Sequence, residues 1–142
     1  MQPASMQDWF EINNLFIRYA TSLDHGDVDA VVGCFTADGV IESPILGAFS
    51  GIDGIRAFAE HTARMKREEG VQFRHVVADL VVRVDGDTAE ATCYLLDFVT
   101  RNERTKLLSP GEYVCQLRRV DGAWRFVRRI VQMDQPFRRE DM

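Results

Sequence analysis

The chain has 142 residues, 46% of them apolar and 27% charged, with a net charge of −5. That length suits a single domain over 1–142 around one core, and the acidic balance excludes a general pull toward nucleic acid or an anionic membrane surface. No apolar run approaches the ~20 residues that span a bilayer, and the N-terminal MQPASMQ has no apolar signal core, so a cytoplasmic location is expected.

From Met6 to Leu23 the apolar residues Trp9, Ile12, Leu15, Phe16, Tyr19, Ala20 and Leu23 recur at helical spacing. Asp8, with Glu11 three residues on, is the expected cap, and Gly26 the expected stop. Asp24 lies about 100° from the centre of the apolar face. It borders the core at a helix C-terminus, where the macrodipole disfavours a negative charge. Asp27 caps a short second helix, DVDAVVGCF. ADG at 37–39 reads as a turn, and VIESPILGAFSG as a short edge strand or irregular wall because of Pro44. Asp53 is the expected cap of a third helix, closed by Gly70.

After Gly70 the period becomes two. FRHVVADLVVRV and TAEATCYLLDFV form a hairpin across DGD. RNERTKLLSPG reads as a polar connection. GEYVCQLRRV and AWRFVRRIVQMD are two more strands across a second DG, and QPFRREDM reads as a frayed tail. The fold class expected is α+β, with helices packed on one face of a strongly curved mixed or antiparallel sheet and a ligand-sized hollow between them.

Five polar residues are candidates for chemistry. His75 shares a strand side with Phe73 and Val77, and reads either as a hydrogen-bonded core histidine or as a general base near neutral pH. Asp24 reads as a turn residue or as the carboxylate that orients an imidazole and stabilises its cation. Tyr19 is a core aromatic or a hydrogen-bond donor to a substrate oxygen. Asp97 interrupts the apolar strand face Ala89, Ala91, Cys93, Leu95, Val99, and is costly there unless paired or protonated. Arg129 shares parity with Val127, Val131 and Met133; pointing inward, it needs an anion such as Asp97, Asp24 or a substrate. Phe16, Phe49, Phe58, Leu95, Tyr113 and Met133 are the expected substrate-binding walls. The three histidines are widely spaced, the sequence has no G-x-G-x-x-G or P-loop, and Cys34, Cys93 and Cys115 stand singly with no C-x-x-C. No metal or cofactor is expected, and the thiols read as buried and free.

In this order, SLDHGDVDAVVGCFTADGVIESP, RHVVADLVVRVDGDTAEATCYLLDF and DGAWRFVRRIV resemble the SnoaL-like branch of the nuclear transport factor 2-like superfamily over roughly residues 6–134. The resemblance implies a cone with a pocket between helices and sheet, and a homodimer or homotrimer. The functional likeness is to scytalone dehydratase, bile acid 7α-dehydratase and hexachlorocyclohexane dehydrochlorinase. It implies an Asp–His pair at Asp24 and His75, with Tyr19, Arg129 and Asp97 at further polar positions of that group. Tyr19 stands where the dehydrochlorinase has a Lys, which argues against dehalogenation. The activity implied is a cofactor-independent lyase acting on a small apolar or hydroxylated ring compound. The same fold also hosts isomerases and polyketide cyclases, and non-catalytic subunits like the small subunits of ring-hydroxylating dioxygenases.

Overall fold

A computed structural model describes residues 1–142, the side chain of Arg139 excepted. A two-residue strand β1 (Gln2–Pro3) precedes helix α1 (Met6–His25). Helix α2 (Val28–Gly33), the hairpin β2 (Phe35–Ser43) and β3 (Gly47–Ser50), and helix α3 (Gly51–Glu69) follow. Then come four long strands: β4 (Gln72–Asp85), β5 (Thr88–Arg101), β6 (Arg104–Val120) and β7 (Ala123–Met133). All seven strands form one open sheet in the order β1-β4-β5-β6-β7-β2-β3. Only the β2–β7 pairing is parallel. The three helices cover one face, as the patterning implied. No helix among the described residues is long and apolar enough to cross a membrane.

The start of α1 differs from expectation. Ser5 caps it, its hydroxyl accepting the Asp8 N–H at 3.1 Å. Asp8 instead ties α1 to the β6–β7 hairpin. Its carboxylate accepts from Arg119 Nη2 at 2.8 Å and from Trp124 Nε1 at 3.2 Å. The end of α1 is as read. Gly26 adopts φ +76°, its N–H bonds Leu23 O, and Asp27 N bonds Ser22 O. A Cβ on Gly26 would also sit 3.5 Å from Ala63 Cβ, so this turn packs directly on α3.

Four further expectations are corrected. Residues 37–39 lie inside β2 as an irregularity in its register with β7, between Phe35 and Val40, because the strand bends there without reversing. Asp53 sits in the first turn of α3 and does not cap it; Ser50 is at the cap position. The supposed connection 101–111 is a tight hairpin at Asn102 and Glu103, both at positive φ, followed by the first part of β6. Its polar residues belong to an exposed strand end, and Pro110 is tolerated beside a bulge opposite Asp97 and Phe98. The tail is docked: Asp134 N bonds Pro110 O at 3.0 Å, Gln135 N bonds Ser109 Oγ at 3.1 Å, and Met142 O accepts from Arg101 Nε at 3.1 Å.

The main core lies between α1, α2, α3 and the concave sheet face, and includes Ile12, Leu15, Phe16, Ile41, Leu95 and Phe126. A smaller cluster of Met65, Val71, Phe73, Val99 and Leu108 packs with Phe137 and Met142 of the tail. The three cysteines are buried and free.

Candidate active site

Between the two clusters a cavity opens to the surface, with about 640 Å³ of empty space counted out to its mouth. Much of that space is open solvent at the mouth; the enclosed part is about 80 Å³. Its inner end carries the polar groups Tyr19 from α1, His75 from β4, Asp97 from β5 and Tyr113 from β6. The walls are otherwise mainly apolar, with Phe58 and Met65 from α3 and Leu95, Val131 and Met133 from the sheet. Gly111 makes room for Met133: a Cβ there would lie 3.0 Å from Met133 Sδ and 2.5 Å from Gln132 O.

Asp24 and His75 meet across α1 and β4. His75 Nδ1 is 2.5 Å from Asp24 Oδ1, and the His75 backbone N–H donates to Asp24 Oδ2 at 2.9 Å. One carboxylate thus grips both the ring and the main chain of the same residue. This is how a negative charge is tolerated at the end of α1, where the dipole alone would disfavour it. With Nδ1–H donated to Asp24, Nε2 is the free ring nitrogen. It lies 3.6 Å from Asp97 Oδ1, because His75 and Asp97 are register partners of β4 and β5. Both carboxylates and the imidazole are nearly sequestered from solvent, with side-chain exposures of 11% for His75 and 7–8% for the acids.

Burial opposes the imidazolium, but the Asp97 charge and the Asp24 hydrogen bond and charge outweigh it, so the His75 pKa lies above its ordinary value. Burial raises the Asp97 carboxyl above the usual range, partly offset by His75. The arrangement is an imidazole and a carboxyl facing each other across a short gap, each able to hold the proton the other lacks. Coupled in this way, the two titrate as a pair.

Arg129 points inward, as parity indicated, but it meets no carboxylate among the described residues. Its guanidinium carbon sits 3.6 Å from the Tyr113 ring centre and 4.0 Å from that of Tyr19, with Phe126 and Phe16 farther out. Nη1 reaches Cys115 Sγ at 3.5 Å. The expected pairing with Asp97 is replaced by a cage of aromatic faces, since Asp97 turns toward His75. A bulge at Val127 brings both Phe126 and Arg129 to the inner side. Arg129 is fully buried behind the cavity wall and does not line it. Its charge acts through Tyr19 and Tyr113. Burial pushes the Tyr19 hydroxyl up to about 12 and that of Tyr113 well above its ordinary value, and the Arg129 charge pulls both back in part.

Of the expected walls, Phe58, Leu95, Tyr113 and Met133 line the cavity. Phe16 and Phe49 do not. Phe16 is turned into the core, edge-on to Phe126 at 5.1 Å, and Phe49 stands behind Phe58 at 5.5 Å. Sequence reasoning missed His61, Thr62 and Met65, which share a face of α3 with Phe58, and missed Phe137. The helical spacing Phe58, Thr62, Met65 was a usable signal; the docking of Phe137 had none. Among the described residues no group of three His, Cys, Asp or Glu side chains is arranged to hold a metal ion.

A SnoaL-like domain family model matches residues 4–130. The Mycobacterium tuberculosis protein Rv3472, of unknown function, superposes with a TM-score of 0.84 and 30% identity, covering 93% of this chain and 79% of that one. A nuclear transport factor 2-like protein with a cystatin-like fold from Novosphingobium aromaticivorans gives 0.81 at 26% identity, over 93% and 85% of the two chains. A proposed scytalone dehydratase from the same organism gives 0.80 at 17% identity, over 92% and 86%; at that identity the likeness is one of fold.

Proposed function

We propose that this chain, which belongs to the SnoaL-like domain family, is a cofactor-independent lyase that removes water from a small, largely apolar ring compound carrying hydroxyl and carbonyl oxygens. The observation that carries the reading is His75 clamped by Asp24 on one ring nitrogen while the other faces Asp97 at the cavity's inner end. In the reactive form His75 is neutral with Nε2 unprotonated, and Asp97 is a carboxylic acid. Nε2 takes the proton next to the substrate carbonyl. The C–O bond of the hydroxyl breaks as Asp97 gives it a proton, so the products are the unsaturated compound and water. The imidazolium, stabilised by Asp24, then returns its proton to the Asp97 carboxylate. The Tyr19 and Tyr113 hydroxyls donate to the carbonyl oxygen as it becomes enolate-like, and the Arg129 charge behind them strengthens both donors. General acid–base catalysis contributes about 10²–10⁴-fold per group, with the remainder from positioning and oxyanion stabilisation.

A fold neighbour that is itself a proposed scytalone dehydratase is in keeping with elimination. An isomerase would use the same groups, with Tyr19 and Asp97 holding the oxyanion as a tyrosine and a protonated aspartate do in ketosteroid isomerase. The test is a panel of hydroxylated cyclic ketones incubated with the wild type and with His75→Ala, followed by mass spectrometry. Loss of water that disappears in His75→Ala supports the lyase. Products of unchanged mass with a moved double bond support the isomerase. Turnover retained in His75→Ala refutes both.

A further inference from the structure

Asp24 is held by more than His75. Its backbone carbonyl lies in the last turn of α1, where carbonyls lack helical partners. Gln72, the first residue of β4, donates Nε2 to that carbonyl at 2.9 Å and to its neighbour Phe73 O at 2.7 Å. The other end of the same amide, Oε1, accepts from Lys66 Nζ of α3. An ammonium has only donors, so Lys66 fixes which end of the amide faces it and leaves Nε2 directed at Asp24. Three elements therefore converge on one amide three residues before His75 in the chain. The close packing of the Gly26 turn on Ala63 and Lys66 of α3 brings them together.

We propose that Gln72, oriented by Lys66, is a positioning residue that sets the Asp24 carboxylate against the His75 ring and main chain. The inference rests on the reading of Asp24 and His75 as the working pair. Neither Gln72 nor Lys66 lines the cavity, so their effect passes through Asp24. The two contacts Asp24 makes with His75 require its backbone to be placed along two directions at once, and Gln72 supplies a tether from β4 itself. The charged and titratable groups acting on His75 are Asp24 from α1, Asp97 from β5 and Arg129 from β7. On α3, His61 lines the same cavity.

The experiment is an NMR pH titration of the His75 imidazole in the substrate-free protein, comparing the wild type with Gln72→Leu, Lys66→Met, Lys66→Arg and Asp24→Asn. Loosening the Asp24 contact lowers the His75 midpoint, by about half a unit or more in Gln72→Leu and in Lys66→Met. Lys66→Arg, which keeps the donor, restores it. Sign separates this from a plain charge effect, since removing a nearby cation by itself raises the midpoint. Midpoints unchanged or raised in Gln72→Leu and Lys66→Met, while Asp24→Asn lowers it, overturn the positioning role and leave the pair standing. No response in Asp24→Asn overturns the pair as well. Should Gln72→Leu fail to fold, Lys66→Met, which leaves the amide in place, decides the question.

Discussion

Replacing Arg129 with Met should leave the protein at least as stable as the wild type while impairing its chemistry. Arg129 is 0% exposed; Nε and Nη2 make no well-aligned hydrogen bond, the guanidinium interacting only loosely with the Tyr19 and Tyr113 hydroxyls. Each unmet N–H costs about 1–3 kcal/mol, and taking the charge out of water costs several more. The return comes from aromatic faces at 3.6, 4.0, 4.6 and 5.0 Å. A good cation–π contact is worth about 0.5–2 kcal/mol, and four contacts to one charge fall short of four times that. The Cys115 contact at 3.5 Å is to a thiol sulfur, a weak acceptor. Costs exceed returns, so an unbranched apolar side chain of similar length is expected to stabilise by about 1–3 kcal/mol, as replacements of buried ionic groups often do. At about 2.1 cal/mol/K per residue, the 142 residues turn this into a Tm rise of about 3–10 °C. Urea denaturation and calorimetry of the two proteins measure it. Destabilisation by about 2 kcal/mol or more would show that the cage binds the cation better than these magnitudes allow, and would remove the argument that Arg129 is kept for Tyr19 and Tyr113.

His75→Ala should lower turnover by at least about 10²-fold with an unchanged circular dichroism spectrum; equal rates in steady-state assays would refute its role. Because the folded His75 pKa is raised, the stability it contributes is fully present below about pH 6.5 and is lost as pH rises through the folded value. The difference in urea midpoint between the wild type and His75→Asn should therefore shrink from about pH 6.5 upward; a widening difference contradicts the sign. Ser5→Ala should cost about 1 kcal/mol through loss of the α1 cap, and Asp8→Asn should not reproduce that loss at Ser5 but should loosen the link to Arg119 and Trp124, seen as faster amide exchange in the β6–β7 turn.

The elements that could be read in advance are those whose pattern is set by local burial. The apolar stripe of α1, the Gly26 stop and the β4–β5 hairpin each follow from periods of 3.6 or two and from turn chemistry. The His75 position on an inward strand side was legible too, as was the oddity of Asp97 on an apolar face. What escaped depends on register between distant segments. That Asp97 faces His75 and not Arg129 is fixed by the β4–β5 pairing. Arg129 sits among rings because of a bulge at Val127, and the sequence carries no mark of that bulge. Phe16 and Phe49 fall outside the cavity because their orientation is set by tertiary packing: Phe16 turns edge-on to Phe126 in the core, and Phe49 packs against Phe58. The exposed polar residues of 101–107 concealed a strand, since a strand end solvated on both faces has no alternation to detect.

The most direct measurement is the His75 imidazole titration in the wild type against Asp24→Asn and Asp97→Asn. The wild type should titrate above about 6.5, and each carboxylate removed should lower the midpoint, because each stabilises the imidazolium. A midpoint at or below the ordinary value, unmoved by either substitution, would mean that the three side chains do not work as one acid–base unit.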